Sequence, residues 1–241
     1  MSEIASPVAE STASADANEL ARAINARTPF LNVSAGAAGS PALPWDWTSL
    51  RHRQAAGQDP TASWREALAA STADQYGRPA PRAMPAAFVL QWALEVPATI
   101  GAYAAVLGPW AADLSAGLSF ALEPNHLFPS RIQVGRAVPA SADPALRLRA
   151  AHAAYEDVVR PFAEHYSPGV KLGRHQRLAM VDDVWAIAVH RARQACLPAP
   201  APPVPQRASC CFIYALPGTH ECAGCPRLRR SSADGDGRVS R

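Results

Sequence analysis

Between Met84 and Leu122 the chain is predominantly apolar, and Gln91, Glu95, Pro97, Pro109 and Asp113 interrupt the run. Within it, Phe88, Leu90, Trp92, Leu94, Ile100, Tyr103, Leu107 and Trp110 fall on nearly all sides of one or two helices placed between Ala86 and Ala112. A helix apolar on every face occupies the centre of a fold. A membrane span needs about 20 mostly apolar residues without such breaks. The run is therefore read as a buried core helix and not as a transmembrane segment, with peripheral contact at a membrane surface as the alternative. A chain of 241 residues is long enough to enclose that helix in one substantial domain with a small appendage.

The flanking sequence predicts a mainly α fold with a small β component, an α+β class. Met1 to Ala15 is rich in Ser, Ala and Glu and reads as disordered. Asp16 to Arg27 reads as a helix with Leu20 and Ile24 on one face, and Ser34 to Trp47 as a loop. A second short helix is expected from an N-cap at Ser63, with Trp64 and Leu68 sharing a face. The prolines between Gly77 and Pro85 end that region. Leu118, Phe120 and Leu122 alternate, as do Ile132 and Val134, which predicts two strands. Asp143 followed by Pro144 is a helix start, because aspartate accepts from free amides and proline suits the first helical turn. Leu148, Ala151, Tyr155, Val158 and Phe162 continue it until Pro168 and Gly169. A last helix from Arg174 to Ala195 carries Leu178, Val181, Trp185 and Ala188 on one stripe. The two are expected to form an antiparallel pair against the Trp92 region. The domain then covers residues 16–196.

Residues 197–206, LPAPAPPVPQ, favour extended polyproline geometry. They read as a linker, either a strut that holds residues 207–226 away from the preceding helix or an ordinary surface loop. Residues 227–241 have no apolar periodicity and read as a disordered tail.

The formal net charge is +3, from 23 basic and 20 acidic residues, which gives no electrostatic case for nucleic acid as a partner. The N-terminus has neither the basic start nor the apolar stretch of a secretory signal, so the expected location is the cytoplasm. In a reducing compartment, clustered thiols are read first as metal ligands or redox groups.

Four of the five cysteines, Cys210, Cys211, Cys222 and Cys225, follow the pattern C-C-x10-C-x2-C in SCCFIYALPGTHECAGCP. The Cys222 to Cys225 turn aims two sulfurs at one point, and Gly224 frees the backbone between them. That half suits zinc or iron. Consecutive side chains on extended backbone point to opposite sides, so Cys210 and Cys211 converge poorly on one small ion. A 2Fe-2S cluster is wider and offers four ligand positions on two irons. The favoured reading is therefore a 2Fe-2S cluster on all four cysteines, ahead of zinc and of redox thiols or a disulfide. Cys196, at the end of the last helix, is read as a small buried apolar residue.

The motif, with Pro226 after it, resembles the C-terminal signature of the FhuF-like ferric-siderophore reductases. The stretches FVLQWALEVPATIGAYAAVLGPW and MVDDVWAIAVHRA are similar to that family's apolar helical segment and its last helix, so the resemblance spans roughly residues 60–226. It places an asparagine where this chain has Asp182 or Asp183. It implies a cytoplasmic oxidoreductase that reduces siderophore-bound Fe(III), hydroxamate complexes above all, to Fe(II) for iron assimilation. It needs no catalytic residue beyond the cluster. Hard oxygen donors hold ferric iron far better than ferrous iron, so one added electron makes the metal exchangeable. No glycine-rich dinucleotide fingerprint follows a strand, so the electrons are expected from a separate donor such as a ferredoxin or a small reductant.

Two alternatives stand beside this reading: a non-enzymatic zinc-binding interaction module, and a 2Fe-2S electron carrier with another acceptor. His220 is read as an exposed loop histidine, with a hydrogen bond to a cluster sulfur as the alternative. Arg207, Arg227, Arg229 and Arg230 either make the cluster's surroundings positive or form a solvated basic tail. His152, His165, His175 and His190 lack ligand spacing. Trp45, Trp47, Trp64, Trp92, Trp110 and Trp185 are read as core, with one or two free to line a cleft.

Overall fold

The apolar run forms a single helix, α4 (Ala83–Leu107), that continues through Pro97 and is buried along most of its length. The computed structural model describes residues 7–36, 42–196 and 203–228, with side chains in the first stretch from residue 16 onward. Among the described residues α4 is the one helix with the length and composition of a membrane span, and 67% of its most apolar window is buried inside the protein. Proline inside a helix removes one backbone hydrogen bond, a loss that the packing around α4 outweighs.

Around α4 stand α1 (Pro7–Asn25), α2 (Trp47–Ala55), α3 (Ala62–Tyr76), α5 (Pro144–His165) and α6 (Arg174–Gln194). α5 begins as the Asp-Pro signal predicts: the Asp143 carboxylate accepts from the amides of Ala145 and Leu146. α5 and α6 pack on α4. Trp185 of α6 stacks on both His152 and Tyr155 of α5, each 5.1 Å away between ring centroids. It also meets α4 at Gly101, where a Cβ would lie 3.5 Å from the indole. The tighter neighbour of such a Cβ is the Leu114 side chain, at 3.2 Å.

One sheet, in the order β1 (Asn32–Ala35), β5 (Pro129–Val134), β4 (Leu118–Leu122), β2 (Trp45–Asp46), carries one parallel pair, β1 with β5. A second pairs β3 (Trp110–Ala112) with β6 (Ala137–Pro139) in antiparallel fashion. The α+β class holds.

Several expectations change. α1 starts at Pro7 and not at Asp16, so residues 7–15 are helical rather than disordered. Proline suits a first turn, and the Ala, Ser and Glu residues after it contain no helix breaker. The expected loop from Ser34 to Trp47 contains the end of β1, all of β2 and the first residue of α2, which is capped by Asp46 onto the amide of Ser49. α3 starts at Ala62, with Thr61 and not Ser63 in the cap position. Cys196 is exposed rather than buried, because it lies past the end of α6, beyond the last turn that packs on the core. The disordered readings for residues 1–6 and 229–241, and most of the proline-rich linker (197–202), lie outside the described residues.

Candidate metal centre

The chain at residues 207–210 does not stand away from α6 as a strut would hold it; it is tied to α6 through polar contacts. Asp183, buried to 8% exposure, is the principal anchor. Its carboxylate accepts from the amides of Ala208 (2.9 Å) and Ser209 (2.7 Å) and from the Ser209 hydroxyl (2.5 Å). About two turns earlier on α6, the Gln176 amide donates to the Cys210 carbonyl at 2.8 Å. Buried amides need acceptors, and a carboxylate with two oxygens serves several at once. Of the two aspartates singled out in the sequence, Asp182 is exposed and lies 3.5 Å from Arg160; Asp183 is the one that faces the cysteine segment.

The backbone then turns sharply after the adjacent cysteines. Phe212 takes a left-handed conformation (φ 65°) immediately after the Cys210 and Cys211 pair, and the chain turns into a short 3-10 helix, Ile213–Ala215. The bend that consecutive cysteines require is therefore placed one residue downstream, where the Phe212 amide reaches back to the Cys210 sulfur at 3.4 Å. On the other side, the Cys225 amide donates to the Cys222 carbonyl at 2.9 Å, closing the C-x2-C turn. Gly224 sits there at φ 72°. Its carbonyl accepts from the Arg207 amide at 2.8 Å and from the Gln206 side chain at 3.1 Å, which tie the two halves of the segment together.

The sulfurs of Cys211 and Cys222 are 3.9 Å apart. Two thiolates bound at about 2.3 Å to one tetrahedral metal would be separated by about 3.8 Å, so this pair fits a shared metal as it stands. Cys211 and Cys225 are buried, and Cys210 and Cys222 are partly so. Among the described residues, no three His, Cys, Asp or Glu side chains gather closely around a single point. The hydrogen bond with Cys222, with the Ile213 amide and the Arg207 charge, draws Cys211 down to about 6 against its burial. The same hydrogen bond, with burial, pushes Cys222 up. Burial is the first cause that raises Cys210.

Arg207 is the one described arginine of the flanking set that enters the site. Only 5% exposed, its guanidinium lies 3.9 Å from the Cys222 sulfur, donates to the Gln91 side chain of α4 at 2.7 Å, and approaches Asp183 at 3.9 Å. A buried cation at this place favours negative charge on the sulfurs. Arg227 is engaged within the segment instead: it lies over the Tyr214 ring at 4.0 Å and 3.4 Å from Glu221. Arg229 and Arg230 lie outside the described residues, and His220 is exposed. His152 stacks on Trp185, and His165 contacts the Pro161 carbonyl.

The close pair of sulfurs, Cys211 and Cys222, thus lies beside a buried cation on backbone anchored to α6. Residues 207–227 match the FhuF 2Fe-2S C-terminal domain. This is a short region of the chain; it is consistent with an FhuF-like ferric-siderophore reductase and indicates a 2Fe-2S cluster as cofactor. No curated protein and no solved structure matches the chain. Sequence reasoning missed Gln91 and Gln176. The available signal was polar side chains set into otherwise apolar helix faces, where each needs a partner.

The turn at Gly224 gives a test with an internal control. A Cβ there would collide with the Pro205 carbonyl oxygen, whereas one at Gly218, at a similar φ of 70°, meets nothing within 4 Å. Both substitutions to alanine place a side chain in the left-handed region, at a cost of about 1 kcal/mol. Gly224→Ala adds the collision and is expected to release its iron to a chelator at least about tenfold faster than Gly218→Ala, equivalent to a further ~1.4 kcal/mol, as read from the decay of visible absorbance.

Proposed function

We propose that the protein is a cytoplasmic one-electron reductase of ferric siderophores, with Cys210, Cys211, Cys222 and Cys225 as the ligands of its 2Fe-2S cluster. The single observation that supports this most is the Cys211 to Cys222 sulfur separation of 3.9 Å within the segment that matches the FhuF 2Fe-2S domain. The bound cluster supplies one electron, which converts the chelate's Fe(III) to Fe(II) and is restored by a separate ferredoxin or small reductant. The chain's own residues do the rest. Asp183 and Gln176 hold the cysteine segment on α6, and the amides of Phe212 and Ile213 point at sulfur. Arg207 stabilises the additional negative charge of the reduced state. Reduction weakens oxygen-donor chelation, and Fe(II) then exchanges to other ligands.

Anaerobically purified protein is expected to be red-brown, with about two irons and two acid-labile sulfides per chain. After chemical reduction it is expected to be reoxidised by a ferric hydroxamate complex while a ferrous chelator captures iron in step. Removal of Fe(II) should speed the net reaction. A colourless preparation with stoichiometric zinc would sink the cluster assignment. A red protein that is inert toward hydroxamate, catecholate and citrate-type ferric complexes would leave an electron carrier with another acceptor.

A further inference from the structure

A cleft of about 340 Å3 opens between the chain that follows α1, the face of α4, the start of β5 and the end of α6. We infer that this cleft is the seat of the ferric chelate and that it takes a chelate of zero or near-zero net charge; this rests on the reductase reading above. Three observations carry it. The first is continuity with the redox segment. Gln91, in the cleft wall, accepts from Arg207, and the same guanidinium reaches the Cys222 sulfur. One side chain thus separates the cleft from the cysteines.

The second is the surface it offers. Phe30, 66% exposed, stands at its lip, and Trp92 and Phe128 line it beside Thr99. An isolated phenyl left in water has no packing role in this fold, whereas aromatic walls with a few hydroxyl and amide groups suit an organic ligand. The third is charge. The ionised side chains of the lining are Glu95 and Arg191, paired with each other at 3.4 Å across α4 and α6, so the cleft is electrically balanced. Three hydroxamate anions cancel the charge of ferric iron, whereas three catecholate dianions leave a strongly negative complex. A balanced cleft favours the former. At this volume, within the range of about 300–1,000 Å3 for ligand pockets, the cleft takes up one side of such a complex and leaves the remainder in solvent.

The test separates binding from reduction by use of a gallium(III) trihydroxamate, which has the same shape and charge and accepts no electron. Its affinity for oxidised, cluster-loaded protein is measured by equilibrium dialysis. Phe30→Ala, which removes an exposed side chain, is expected to weaken binding at least fivefold. Thr99→Trp, which fills the cleft, is expected to weaken it at least tenfold. Leu146→Ala, in a different cleft beside Trp110, is expected to change nothing. A gallium tris-catecholate should bind at least tenfold more weakly than the trihydroxamate. Reoxidation of each reduced variant by ferricyanide, which needs no cleft, should match wild type and shows that the cluster and fold are intact. Wild-type affinity in both Phe30→Ala and Thr99→Trp overturns the cleft, and the reductase reading survives if wild type still reduces the ferric complex. Weakened binding in both variants, with no reduction of any ferric chelate by wild type, upholds the site and overturns the reductase reading.

Discussion

Serine in place of Cys210, Cys211, Cys222 or Cys225 is expected to strip most of the iron from the protein, whereas Cys196→Ser keeps the full complement. A cluster ligand must be a thiolate, and a hydroxyl of similar size does not replace it at neutral pH. The structure sharpens the contrast, because Cys196 is exposed beyond the end of α6 while the other four lie within the docked segment. The visible spectrum and the iron content of the five variants, purified without oxygen, provide the measurement. Cys211→Ser and Cys222→Ser should be the most severe, since their sulfurs already stand at the separation that one metal requires. If Cys196→Ser bleaches the protein as fully as the others do, the ligand set is wrong.

Asp183→Ala is expected to produce the largest effect of any substitution outside the cysteines. It removes the acceptor of two amides and one hydroxyl and leaves the Arg207 guanidinium without its carboxylate in a buried place. Loss of one member of a buried ion pair costs about 3–5 kcal/mol, which corresponds to more than about a hundredfold in the docking equilibrium of the C-terminal segment. Hydrogen exchange should show the amides of Ala208 and Ser209 losing protection while α4 keeps its own. Asp183→Asn retains one oxygen acceptor and should fall between wild type and alanine. Equal protection in Asp183→Ala and wild type would mean that the segment is held by other contacts. Asparagine is also the residue that the sequence resemblance places near this position, so its intermediate behaviour would show how an uncharged acceptor serves the same amides.

Much of the helical frame was legible in the sequence because its signals are local. The Asp143 cap, the periodicity of α5 and α6, and the all-round apolarity of α4 each depend on residues within a turn or two of one another. The short strands β1, β2, β3 and β6 were not legible, since two to four residues carry too little alternation, and their pairing partners lie far away in the chain. The four cysteines stood out by type and spacing alone. What surrounds them did not. Gln91 and Gln176 look like ordinary helical glutamines until the fold places Arg207 and the Cys210 carbonyl within reach. The proline-rich stretch read equally as a strut or as an ordinary surface loop, because linker composition sets stiffness and not destination. The destination here is set by the Asp183 carboxylate.

Because the acceptors for Ala208, Ser209 and Arg207 come from α4 and α6, the cysteine segment is not portable. Excised as a peptide or grafted onto a foreign terminus, it would keep its four thiols and the Gly224 turn but leave a guanidinium and two amides to be satisfied by water. The recognisable motif is a string of some twenty residues, whereas the physical unit that docks it includes two helices whose contribution is a handful of polar side chains set in apolar sequence.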